Sequence, residues 1–433
     1  MTSIGIVVPS WHYWVDPLKL QPLWELYYAT HLRRNLSDVA VDVIDLREPE
    51  CRAENFKIPQ RNIYVYWVMK SADAFEVYGI IQQLRNLYPD SVHVAGGTHV
   101  DHMQAECAEV FDCIMTGTAE DILIRAIKDV DAGKLRQRYM SDNRPHFSDF
   151  GHAERDFIEP HRVVNEKHFQ KYGGVPGTGV YFSRGCSFRC NFCVYNNPPK
   201  FEYRRPAQIT AEIEYLKREY GVQGVNLRDE VCIPVNAKEA VAYIEAIGNA
   251  GVIWRGQSVP LGIEEMVRLA AESGLKEVAL GLESVDSDDV ITLANKPSKS
   301  IENNKRYIEL LKKHGIKVKV CLIFGLPGES VHVLDRTVQF LEEVRPDFVA
   351  VSGFDPVPGS PFFRDQKKYG IKHIDDDLSK HAHLLYRFGD DEDVGLPFEY
   401  EKNAPWGKSL SREEIADNIR AIQTYLRNHD MSY

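Results

Sequence analysis

The sequence predicts an α/β protein: an N-terminal Rossmann-like parallel-sheet domain, then a partial (β/α)6 barrel, then a short C-terminal helical segment. Two runs of alternating strand-like and helix-like segments predict it, in residues 1–130 and 179–365. Residues 131–178 break the rhythm with Gly, Pro and polar clusters such as Gly173-Gly174-Val175-Pro176-Gly177, and read as a linker. Residues 366–433 read as a closing segment.

In the first run, residues 4–8 are a short apolar strand, and 20–35 carry Leu23, Leu26, Tyr27 and Leu32 at helical spacing. Strands follow at 39–44 and 63–69, a helix at 74–87, a strand at 92–95 ending on Gly96-Gly97, a strand at 114–115 ending before Gly117, and a helix at 121–130. In the second run the expected strands are 179–183, 224–227, 252–257, 277–281, 317–324 and 348–353. Helical patterns lie between them at 207–220, 237–249, 263–273 and 301–314. In βα barrels the chemistry collects where the strands end. Near the C-terminus, Ser411-Arg412-Glu413-Glu414 fits a capping box opening a helix to residue 428.

Composition narrows the function classes. Apolar content of 44% and charged content of 27% over 433 residues are those of an ordinary globular protein. A net charge of −11 argues against a general nucleic-acid binder, which needs clustered Lys and Arg. No apolar run approaches the ~20 residues of a membrane helix. The start, Met1-Thr2-Ser3-Ile4, lacks a basic signal-peptide region, so a cytoplasmic location is expected, with thiols reduced.

Five of the eight cysteines are scattered; the other three fall in Arg184-Gly185-Cys186-Ser187-Phe188-Arg189-Cys190-Asn191-Phe192-Cys193, directly after an expected strand. The spacing is C-x3-C-x2-C. Three thiolates can ligate three irons of a cubane cluster and leave the fourth open to a ligand. A structural zinc wants four closed ligands, usually in paired C-x2-C units, and no second pair or suitably spaced His follows. Buried, inert cysteines are the plainer alternative. The clustering in an active-site loop favours Cys186, Cys190 and Cys193 as metal ligands.

The triplet, Phe192 before its last cysteine and the βα series after it resemble the radical SAM superfamily. The resemblance implies a [4Fe–4S] cluster whose open iron is chelated by S-adenosylmethionine, reductive C–S cleavage to a 5′-deoxyadenosyl radical, and an electron donor such as flavodoxin or ferredoxin. It also implies cofactor-binding residues. Asp229 and Glu230, ending the second barrel strand, would face the methionine ammonium. Glu283 and Ser284, in Gly281-Leu282-Glu283-Ser284, would serve the ribose. Gly325, Pro327 and Gly328, in Gly325-Leu326-Pro327-Gly328-Glu329, would let the backbone approach adenine. Pro358-Gly359-Ser360-Pro361 resembles another turn of the family. Lys296 resembles a recurrent lysine, although a lone Lys is more readily a solvated helix end.

Residues 1–130 resemble the cobalamin-binding-type domain that precedes the barrel in one subgroup. The matching pieces are Pro9, Gly96-Gly97-Thr98-His99 and Gly117-Thr118-Ala119-Glu120. No Asp-x-His-x-x-Gly segment is present to ligate cobalt, and the aromatics of Ser10-Trp11-His12-Tyr13-Trp14 would either stack beneath a corrin ring or fill its space, the second being the expectation. Cobalamin is therefore possible but not favoured. The expected function is hydrogen abstraction from a small polar metabolite, leading to dehydration, epimerisation, rearrangement or ring formation. A cobalamin-dependent radical SAM methyltransferase is the alternative, and a non-catalytic iron–sulfur protein a remote one. Nucleic acid and membrane insertion are not expected.

Overall fold

A computed structural model describes the chain except residues 13, 15, 53–55, 142–144, 166, 168, 195–200, 378–380, 382–394 and 433. It forms two compact units, Met1–Val163 with Asp377–Ala382, and Val164–Asp376 with His383–Tyr433.

The first unit is built on six strands: β1 (Thr2–Val8), β2 (Val39–Asp45), β3 (Ile63–Trp67), β4 (Val92–Gly96), β5 (Cys113–Thr116) and β6 (Arg138–Met140). Their order is β2-β1-β3-β4-β5-β6 and every pairing is parallel. Parallel sheets are covered on both faces, which is why these strands are nearly continuous runs of Ile, Val and Tyr. The helices include α1 (Leu23–Asn35), α2 (Ser71–Leu87) and α3 (Thr98–His102). The order reverses between β1 and β3, and open α/β sheets bind ligands beyond the strand ends at such a switch. Strand β6 lies in the stretch expected as linker; at three residues, Arg138-Tyr139-Met140, it is too short to register as a period-2 run.

The second unit is an open parallel sheet in the order β14-β13-β12-β11-β10-β7. Its strands are β7 (Gly177–Val180), β10 (Gly224–Leu227), β11 (Ile253–Ser258), β12 (Leu275–Glu283), β13 (Lys317–Phe324) and β14 (Phe348–Gly353). After β7, a two-residue β8 (Ser183–Arg184) pairs antiparallel with β9 (Glu202–Tyr203). Alternation fixes the two faces. In β12, Val278, Leu280 and Leu282 are buried in the main apolar core, leaving Glu277, Ala279 and Gly281 on the other side. In β13, Val318, Val320 and Leu322 join that core, leaving Lys317, Lys319 and Cys321 opposite. One face is therefore greasy and the other polar, as an α/β barrel with a polar lumen requires. The closing helix (Arg412–Asn428) starts with the expected capping box: Glu414 N–H donates to Ser411 Oγ at 3.2 Å, and Ser411 N–H to Glu414 Oε2 at 2.7 Å.

Candidate functional site

The three clustered cysteines sit on one half-buried loop between β8 and β9, whose strands are tied by an Arg184–Glu202 ion pair at 3.4 Å. Gly185 starts the loop at φ +80°, a conformation that favours glycine. Four hydrogen bonds then fix it. Asn191 donates from its backbone to Ala294 O and from Nδ2 to Leu293 O, both at 2.8 Å. Asn295 Nδ2 donates to Arg189 O at 2.7 Å, and Phe362 N–H to Asn191 O at 3.0 Å. The loop is thus held by the segment after β12 and by the Pro358–Pro361 turn after β14. Asn191 and Asn295 are positioning residues that the sequence reading missed. Asn295 at φ +53° is the readable hint, since Asn is among the few residues that tolerate that region.

Among the described residues no three His, Cys, Asp or Glu side chains converge tightly enough to hold a single metal ion. That is the pattern a structural zinc needs. A cubane distributes its thiolates over different irons, so neighbouring thiols on a fixed loop suit it. Burial pushes the Cys190 thiol up to about 11, with Lys296 pulling the other way, and raises Cys186 as well.

Lys296 is buried, which corrects its reading as a solvated helix end. Its Nζ lies 2.9 Å from Glu283 Oε1 and 5.8 Å from the Phe192 ring centroid. Burial works against its charge, but Glu283 and then Cys190 outweigh burial and hold the ammonium above the ordinary lysine range. Glu283 ends β12 where the register with β13 shifts, and it adopts φ +67°. Such a bulge re-aims a side chain, and a non-glycine residue held in this region marks a functional position more often than a random one. A Cβ on Gly281 would meet Glu283 Oε1 at 2.5 Å, so that glycine makes room for the carboxylate. Glu283 Oε2 has no partner among the described residues.

The other expected contacts divide. Asp229 is buried and already committed: it accepts from Phe182 N–H at 3.0 Å, Ser183 N–H, Ser183 Oγ–H at 2.7 Å and Tyr243 O–H at 2.9 Å. Burial nevertheless pushes it up to about 6. It fixes the end of β7 ahead of the cysteine loop. Glu230 is half-buried, accepts from Gln257 Nε2 at 3.3 Å, and lies close enough to Cys186 to raise its thiol further. Ser284 donates to Glu329 Oε1 at 2.9 Å, and Gly325 N–H to Glu329 Oε2 at 2.6 Å. Gly325 at φ +91° faces the closing helix, where an added Cβ would meet Ile415 Cγ2 at 2.9 Å; Gly328 at φ +95° faces Leu293 Cδ2 at 3.3 Å. Pro327 between them is buried. These residues knit two strand ends together. Protein fills the space that a side chain at either glycine would need, so the chain's own close packing requires both glycines. Tyr400, on the closing segment, donates to Gly325 O at 2.7 Å.

Residues 180–341 match the family model described as the radical SAM superfamily. The chain carries a radical SAM domain. Its radical SAM domain begins at the last residue of β7, carries all three clustered cysteines and includes Glu283 and Lys296. Such a domain is built for a [4Fe–4S] cluster and S-adenosylmethionine. Among curated proteins the chain is similar to the anaerobic magnesium-protoporphyrin IX monomethyl ester cyclase of Rubrivivax gelatinosus, 27% identical over 79% of this chain and 66% of that protein. It is also similar to the bacteriochlorophyllide d C-12(1)-methyltransferase of Chlorobaculum tepidum, 24% identical over 67% of this chain and 63% of that protein. The chain therefore spans less than two thirds of either relative. Among solved structures, the radical S-adenosylmethionine methyltransferase TsrM of Kitasatospora setae, with cobalamin and a [4Fe–4S] cluster bound, matches 100% of this chain and 91% of its own. The TM-score is 0.70 at 17% identity. The cobalamin-dependent radical enzyme OxsB matches 99% of this chain and 67% of its own, with TM-score 0.71 at 14% identity. At such identities the likeness establishes a shared two-part fold. Among the described residues no helix is long and apolar enough to cross a membrane.

Proposed function

We propose that the chain is a radical SAM enzyme in which Cys186, Cys190 and Cys193 ligate the [4Fe–4S] cluster and the ends of the barrel strands hold S-adenosylmethionine. The observation that carries this reading is the cysteine loop stapled beside the buried Glu283–Lys296 pair. When bound, the cluster and cofactor supply one-electron cleavage of a C–S bond, giving methionine and a 5′-deoxyadenosyl radical. An electron donor such as flavodoxin or ferredoxin supplies the electron.

The chain's own residues have separable tasks. Lys296 holds one oxygen of Glu283 and leaves Oε2 to accept from a ribose hydroxyl. Glu230 faces the methionine ammonium. Phe192 covers Lys296 and keeps water from the ion pair. Asp229, Ser284, Gly325, Pro327 and Gly328 position these groups without touching the cofactor.

Two reactions compete. The named relatives are methyltransferases and a cyclase, and the structural neighbours carry cobalamin, so the comparisons lean toward a cobalamin-dependent methyl transfer. The packing of the first unit leans the other way, toward hydrogen abstraction from a small polar metabolite without a corrinoid. We take the second reading, because it rests on side chains of this chain whereas the structural likeness carries the fold alone. Anaerobic incubation with S-adenosylmethionine and dithionite tests it. 5′-Deoxyadenosine should form without added cobalamin; S-adenosylhomocysteine and a methylated product, appearing only when cobalamin is added, would reverse the choice.

A further inference from the structure

We infer that the first unit does not hold cobalamin: its own aromatic side chains and first loop occupy the place where the corrinoid and its nucleotide tail would enter. The inference deepens the cobalamin-free reading above and rests on it.

A ligand of this sheet belongs beyond the strand ends at the switch between β1 and β3, with its tail reaching the glycine turn after β4. That turn is Gly96-Gly97. In the structure Trp67, the last residue of β3, is paired in register with Gly96. A Cβ on Gly96 would meet the Trp67 ring at 2.7 Å. Gly97, at φ +110°, would carry its Cβ to 2.5 Å from the Val68 carbonyl oxygen. Both glycines are explained by the chain's own close packing, so neither leaves a groove.

Trp67 is the centre of a cluster. Its ring lies 4.5 Å from Tyr28 and 6.4 Å from Trp24, both on α1, and Trp24 lies 6.3 Å from the fully buried Phe147. Among the described residues the buried Trp67 Nε1–H has no hydrogen-bond partner. Above the switch, the loop after β1 is tied down. Ser10 donates from both N–H and O–H to the carboxylate of Glu76 on α2, at 2.7 and 2.8 Å. Arg47, with no exposed surface, donates to the carbonyls of Pro17 and Leu20 at 2.9 and 2.6 Å and stacks 4.3 Å from the Trp11 ring centroid. Trp11, Trp14, Trp24 and Trp67 are all half-buried and Tyr28 is buried; the rings that meet Gly96 and each other are those of Trp67, Tyr28 and Trp24, so the expectation that loop 10–14 fills the corrin space moves to them.

The test uses the full chain, purified anaerobically after loading with iron and sulfide, then dialysed to equilibrium against hydroxocobalamin. Corrinoid should stay substoichiometric by its visible absorption. The melting temperature of Trp67→Ala should fall by several degrees, by the same amount with and without hydroxocobalamin. Stoichiometric corrinoid on the parent protein would overturn the inference, as would an unchanged melting temperature for Trp67→Ala. Should Trp67→Ala fail to fold, Trp67→Phe keeps a ring on Gly96 and should melt between the two; a Trp67→Phe melting at or above the parent counts against the plug. 5′-Deoxyadenosine is measured on the same preparations. Its formation alongside bound corrinoid refutes this inference and the cobalamin-free reading but leaves the radical SAM chemistry standing, whereas its absence refutes the radical SAM reading.

Discussion

Replacing Lys296 with methionine removes the cation from a nearly dry ion pair while keeping an unbranched stem of similar length. The Lys296 and Glu283 side chains are 5% and 13% exposed, and among the described residues Lys296, at 2.9 Å, is the one hydrogen-bond partner of that carboxylate. Removing one member of a buried pair leaves the other charge uncompensated, which costs about 3–5 kcal/mol. A domain of this size shifts by roughly 2–4 °C per kcal/mol, so melting should fall by about 6–20 °C. The same change frees Glu283 from its anchor, so S-adenosylmethionine affinity should fall as well. The assay is differential scanning fluorimetry with isothermal titration of the cofactor on anaerobically purified protein. A second change, Glu283→Gln, made in the Lys296→Met background, should recover much of the stability and none of the affinity. If Lys296→Met melts within about 2 °C of the parent, below even one kcal/mol on this scale, the pair is not the anchor described here.

Glu329, buried between Ser284 and Gly325, is pushed up to about 8 by burial, above its unfolded range. The folded state therefore holds a proton the unfolded chain gives up. The group favours folding most at low pH, and that stability is lost as pH rises from about 4.5 through 8. Glu329→Gln should flatten that slope in melts taken across the range; an unchanged slope removes Glu329 as its source. Asp229→Ala leaves four donors without their acceptor, so at about 1 kcal/mol or more for each the loss should exceed about 3 kcal/mol by urea unfolding. By contrast, Glu230→Gln should weaken cofactor binding with little effect on unfolding, and the reverse pattern would exchange the two roles. Gly325→Ala meets Ile415 and an unfavourable φ, so it should lower stability by roughly 1–3 kcal/mol; a neutral result would mean the closing helix yields at that point.

The sequence displayed what local patterns encode. Apolar runs located the strands, the cysteine spacing located the loop, and Ser411 with Glu414 located the closing helix start. It did not display what depends on meetings across the fold. Asp229 looked like a ligand because the resemblance puts an acidic pair at that strand end; the approach of Ser183 and Tyr243, which commits its oxygens to the chain itself, has no local mark in the sequence. Lys296 looked solvated because nothing near it in sequence announces Glu283, thirteen residues back and turned by a bulge. Gly96 and Gly97 counted only as pieces of the resemblance because glycine carries no mark of what lies opposite, here Trp67 and the Val68 backbone. The aromatic loop 10–14 drew attention by composition, while Trp24 and Trp67 sat unremarked in a helix and a strand.

The central claim is that one stapled loop, with Cys186, Cys190 and Cys193, holds a cluster that cleaves S-adenosylmethionine. Its most direct test is anaerobic reconstitution of the parent and of the Cys186→Ala/Cys190→Ala/Cys193→Ala variant, measuring iron, sulfide and 5′-deoxyadenosine after reduction. The parent should bind about four irons and four sulfides per chain and form 5′-deoxyadenosine, while the variant does neither and Cys51→Ala behaves as the parent. A triple variant that keeps its iron and sulfide, or a fully loaded parent that releases no 5′-deoxyadenosine, would contradict it.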